Sequence, residues 1–220
     1  MSSPEPSLRS PTADPGGIGL SLFGFALFLY GVQFVAYADA APGAATSSVA
    51  TTYAILVAAV GETLAGIFYI LRGQGYQASI LCGFGLWLLG LYLLLTLGAE
   101  NKAFAPDAVG WYSIALIIPV AYMSIPSFLH RNVPLIVAFV ALIGLLLFLG
   151  IGFLGANLTA KPPVPPSVNE LRVSGAFAFL AAAALWYRAA DIVLRIGKGP
   201  GEQTATPGPE PSLSSRTTSN

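Results

Sequence analysis

Charged side chains are scarce in this chain. Asp, Glu, Lys and Arg make up 9% of its 220 residues, against about 25% in an ordinary soluble domain. With 55% of residues hydrophobic, the chain has too little polar surface to coat a fold in water. Its ten basic and ten acidic side chains are scattered singly and cancel. No basic stripe exists to neutralise phosphates, which argues against nucleic acid as a partner. Cysteine is nearly absent: Cys82 stands alone inside an apolar run, with no partner for a disulfide or a CxxC metal site, and reads as packing. The single histidine, His130, neighbours Arg131 at the edge of an apolar run, lacks a second metal ligand and reads as interfacial. There is no Ser/His/Asp arrangement, phosphate-binding loop or catalytic carboxylate pair. Neither an enzyme nor a bound cofactor or metal is expected.

What the chain has in quantity is long apolar runs. A run of about 20 residues crosses a hydrocarbon core of roughly 30 Å at 1.5 Å per residue. Such runs occupy residues 17–37, 49–71, 76–97, 108–129, 134–157 and 171–194. The fold class expected is an all-α membrane protein with six transmembrane helices in one domain, residues 17–197. Residues 1–16 and 198–220 are rich in Ser, Pro, Thr and Gly without apolar periodicity and are expected to be disordered tails. The connections at residues 72–75 and 130–133 are very short, which predicts two antiparallel helical hairpins. Pro162, Pro163, Pro165 and Pro166 end the fifth span in an extended connection. The first run could pass for a signal peptide, since Ala36-Tyr37-Ala38 fits a small-residue cleavage pattern. It is too long for that, and its leader holds Glu5 and Asp14 against a lone Arg9. Asn157-Leu158-Thr159 fits a glycosylation sequon close to a span end.

Placing the N-terminus in the cytosol puts Arg9, Arg72, Arg131, Arg195, Lys198 and Arg216 inside, leaving Lys102, Lys161 and Arg172 outside. Positive charge then lies on the cytosolic side, so both termini are expected there, in a multi-pass protein of the plasma membrane.

Several stretches carry a family pattern. Asp14-Pro15-Gly16-Gly17-Ile18-Gly19-Leu20 leads into the first span. Leu64-Ala65-Gly66-Ile67-Phe68, Arg72-Gly73-Gln74-Gly75-Tyr76 and Cys82-Gly83-Phe84-Gly85-Leu86-Trp87-Leu88 follow without a gap in spacing, and Gly155-Ala156-Asn157, Gly175 and Tyr187 continue the pattern. Over residues 14–197 the chain resembles the acetate uptake transporter family, which includes bacterial succinate-acetate permeases and fungal acetate and ammonia transporters. It resembles a divergent member. The family's Asn-Pro-Ala-Pro-Leu-Gly-Leu signature has become Asp14, Pro15, Gly16, Gly17, Ile18, Gly19 and Leu20, and its Gly-Asn-Thr-Phe turn has become Gly73, Gln74, Gly75 and Tyr76.

The resemblance implies a six-helix pore in each subunit, a homo-oligomer (a hexamer) and an apolar Phe, Tyr and Leu constriction at mid-depth. The matching positions are Phe23, Phe84 and Leu142, with the tyrosine hydroxyl lost at Phe84. Without the resemblance all three read as packing or lipid-facing residues. It also implies a channel or transporter for acetate or a similar small monocarboxylate, with or without a coupled proton. A channel for ammonia, ammonium or small neutral solutes is the alternative, as is a receptor-like protein that has lost transport.

Charges inside a bilayer normally face a cavity or a partner. Glu62, mid-way along the second span with no basic residue within one helical turn, is the candidate proton-linked or polar pore residue. The competing reading has it protonated and hydrogen-bonded to Thr52, Gln33 or a backbone carbonyl. Arg188 and Asp191, three apart on one helix face, suggest a local ion pair. Asp14, Pro15, Gly19 and Leu20 mark the signature start of helix one, where a broken helix could aim free N–H groups at an anion.

Overall fold

A computed structural model describes residues 14–37, 46–100, 106–156, 162 and 164–196. Residues 1–13 and 198–220 of the expected tails and the Asn157 sequon lie outside the described residues, whereas Gly16, placed in the tail by the sequence reading, already begins the first helix. Among the described residues six helices follow one another: α1 (Gly16–Ala36), α2 (Thr46–Leu71), α3 (Gly75–Glu100), α4 (Pro106–Leu129), α5 (Val133–Leu154) and α6 (Val168–Ile196). Each is long and apolar enough to cross a membrane. Apolar side chains also cover the outside of the bundle, Ile118 at 72% and Leu129 at 76% exposure among them. A surface of that kind suits hydrocarbon rather than water.

The helix bounds follow local chemistry. Between α2 and α3 the chain turns through Gly73, whose φ of 71° lies in the left-handed region that glycine occupies without penalty. Arg131 does the same work between α4 and α5 at φ 51°. The sixth helix begins at Val168, three residues before the expected start, because Ser167 organises its first turn. The Ser167 hydroxyl donates to the Glu170 carboxylate, and the Ser167 carbonyl accepts from the Leu171 N–H at 3.1 Å. At the other end of the same connection, α5 stops at Leu154 rather than reaching residue 157, with Gly155 as its C-cap.

Around the bundle the helices lie in the order α3, α2, α1, α6, α5, α4. The two expected hairpins, α2–α3 and α4–α5, are among the tight pairs. The ring closes where α3 meets α4, and there the two backbones touch only sparsely. Side chains span that seam: Tyr76 donates its hydroxyl to the Met123 carbonyl at 2.9 Å, and Tyr112 donates to the Trp87 carbonyl. Close helix pairs depend on small residues. A Cβ on Gly66 of α2 would stand 2.7 Å from the Cys82 backbone nitrogen of α3, and one on Gly85 of α3 would stand 2.7 Å from that of Thr63. Cys82 packs in this interface as a free thiol, its Sγ 3.8 Å from the Thr63 carbonyl.

Candidate functional site

The helices enclose three spaces in line. At the end where α1 begins is a cavity of about 570 Å³, with Asp14, Tyr69, Gln77, Ser127, His130 and Arg188 among its walls. Next comes a void of about 20 Å³ against Glu62. Beyond it is an apolar cavity of about 70 Å³ that reaches Tyr30 and Tyr112.

Shared walls separate these spaces. Leu20, Ile80 and Leu135 line both the first cavity and the void. Phe23, Phe84 and Leu142 line both the void and the far cavity. The order follows helix geometry: Leu20 stands one turn before Phe23 on α1, Ile80 one turn before Phe84 on α3, and Leu135 two turns before Leu142 on α5. Two apolar rings therefore bracket the small void. In the second ring, Phe23, Phe84 and Leu142 are all buried, at 4%, 7% and 4% exposure, and the two phenylalanine rings are tilted with centroids 5.1 Å apart. Phe139 and Trp87 pack against Phe84 at 6.2 and 5.3 Å between centroids and hold its orientation.

A model of the GPR1/FUN34/yaaH family matches residues 2–198. The chain belongs to that family. Among solved structures it is similar to one described as the structure of the bacterial acetate channel SatP, with 18% sequence identity and a TM-score of 0.70. The match covers 84% of this chain and 94% of that one. No curated protein sequence matches the chain. Six helices that can each span a bilayer, in this family and this fold, make the chain a multi-pass membrane protein.

In this GPR1/FUN34/yaaH protein the signature start of α1 is tied down rather than free. Asp14 accepts hydrogen bonds at one carboxylate oxygen from the Gly16 N–H, at 2.9 Å, and from the Tyr69 hydroxyl of α2. The Pro15 carbonyl accepts from the Ile18 and Gly19 N–H groups at 3.2 and 3.3 Å. At this helix start the Asp14 carboxylate takes the Gly16 N–H that a broken helix could have aimed at an anion. Gly19 packs α1 on α2, where an added Cβ would stand 3.1 Å from that of Ala65, and Leu20 reaches the path.

Glu62 is fully buried, and neither carboxyl oxygen has a hydrogen-bond partner among the described residues. The competing reading, in which Thr52, Gln33 or a carbonyl satisfies Glu62, meets no such bond among the described residues. Other buried polar groups contrast with it: Ser174 donates to the Leu145 carbonyl at 3.0 Å and Ser113 to the Val109 carbonyl at 2.8 Å. Arg188 forms the expected ion pair with Asp191. His130, read from sequence as interfacial, joins Arg188 on the wall of the first cavity. The ring of Leu20, Ile80 and Leu135 went unread as a set. Its signal was the one-turn and two-turn spacing from the second ring.

Proposed function

We propose that the chain is a channel or transporter for acetate or a similar small monocarboxylate, with a path through each subunit along the three aligned spaces. The observation that carries this reading is the pair of apolar rings on one line between two cavities. Rings of this size suit a solute with a small apolar end and one polar end. The likeness to a solved structure described as that of an acetate channel supports the substrate class. Phe23, Phe84 and Leu142 are the constriction in this reading, and they must move apart for a solute to pass, since the void between the rings has room for about one water. A full carboxylate charge between apolar rings is costly, which favours passage of the neutral acid or of an anion that meets a protonated group on the path.

The rest of the reading places the large polar cavity and both termini on the cytosolic side of the plasma membrane, with several subunits, six in the family pattern, forming the functional particle. Uptake of labelled acetate by cells expressing the protein tests the function. It should rise as external pH falls from about 7 to about 5, as either route requires. Unlabelled acetate should compete, and methylamine should not. The unpaired carboxyl of Glu62 on the path favours a second reading, passage of an ammonium-like cation. Competition by methylamine in place of acetate would decide for it.

A further inference from the structure

Among the described residues, Glu62 is the only acidic or basic side chain around the small void. The other walls are hydrocarbon side chains from α1, α3, α5 and α6, with no titratable group among them. Other titratable groups stand beyond the two rings: Asp14, Tyr69, Tyr76, His130 and Arg188 line the large cavity past Leu20, Ile80 and Leu135, and Tyr30 and Tyr112 line the apolar cavity past Phe23, Phe84 and Leu142. A carboxyl that serves packing would be tied to a neighbouring helix, as Ser174 is tied to Leu145. Glu62 is instead left with both oxygens unpartnered, a rarity that asks for an explanation. The void beside it, about 20 Å³, exceeds the roughly 10–15 Å³ that one water-sized group needs. A carboxyl with nothing to bond, facing a space with nothing else polar in it, is placed to meet a passing polar group.

We propose that Glu62 is a protonation gate: with a proton on its carboxyl the path admits a monocarboxylate anion, and without that proton the path is closed to anions. The gate rests on the reading of the bundle as a monocarboxylate path. The protonated carboxyl has one O–H to donate. A carboxylate held between the two rings accepts that hydrogen bond, in a stretch of the path where the side chains of the described residues offer no other donor. The Glu62 O–H bond stays intact, and the anion leaves as it entered. Ionised Glu62 donates nothing and sets a like charge within a few ångströms of the solute, where low dielectric leaves the repulsion least screened.

Glutamine keeps the shape and offers N–H donors at every pH, so E62Q locks the gate in its admitting form. Labelled acetate flux is measured in liposomes for the wild type, E62Q and E62D, with equal pH on both sides, from about 5 to about 9. Dividing E62Q flux by wild-type flux at each pH cancels the changing supply of neutral acid. The ratio should rise by at least about tenfold from the acid to the alkaline end, while E62D, which still titrates, keeps a falling profile like the wild type. Infrared spectroscopy of the wild type supplies a readout independent of E62Q folding. The carbonyl band of a protonated buried carboxyl, assigned by its shift in E62D, should vanish over the pH range in which flux is lost. A constant ratio, or a band and a flux that fall at different pH, overturns the gate. Wild-type protein without acetate flux at any pH overturns the pore reading itself, and the gate with it.

Discussion

Shortening Leu142 to alanine should open the second ring without adding polarity. The side chain is 4% exposed and is a shared wall of the 20 Å³ void and the 70 Å³ cavity, so its loss joins the two. Three carbons disappear, at about 0.8 kcal/mol of burial each, and a buried Leu→Ala change costs about 2–5 kcal/mol in stability. A wall that senses one methylene discriminates by about 10- to 200-fold. Longer monocarboxylates such as propionate and butyrate should therefore gain about tenfold against acetate in Leu142→Ala, and succinate should begin to compete. The assay is counterflow of labelled acetate in liposomes with each unlabelled acid as competitor. Leu145→Ala is the control: it removes an equally buried leucine that lines the far cavity but not the void. It should cost similar stability and leave the size cutoff in place. Leu142→Ala protein that elutes like the wild type but keeps the wild-type order of competitors would refute the reasoning and return Leu142 to ordinary packing.

Three further outcomes are expected. Phe84→Tyr adds a hydroxyl beside the void and should change acetate flux more than it changes the size cutoff, as the same competition series would show. Gly66→Ala places a methyl group 2.7 Å from the Cys82 backbone nitrogen, so it should lower detergent-phase thermal stability by about 1–3 kcal/mol, the usual cost of overpacking; an unchanged melting curve would contradict the close α2–α3 contact. Tags at the two termini should both resist external protease in intact cells, and loss of only one would contradict an even number of spans.

The six spans were legible because a bilayer imposes a length and an apolar composition that show directly in the sequence. The helix ends were legible only where local signals were used. The early start of α6 was written in Ser167 and Glu170, a serine three residues before a glutamate. Of the candidate site, Phe23, Phe84 and Leu142 could be named from the family pattern, and all three lie in one ring. Glu62 stood out as a lone charge mid-span, but the absence of any partner depends on how α1, α3, α5 and α6 pack around it, which periodicity does not encode. The bonds of Asp14 were hidden for a similar reason: a helix start looks open until the Tyr69 hydroxyl, 55 residues away, is brought to it.

Counterflow of labelled acetate into liposomes that hold the purified protein and a load of unlabelled acetate tests the central claim most directly. The account predicts saturable accumulation above that of protein-free liposomes, reduced by unlabelled acetate and untouched by methylamine. Accumulation no greater than in protein-free liposomes, from protein that elutes as a folded assembly, would contradict it.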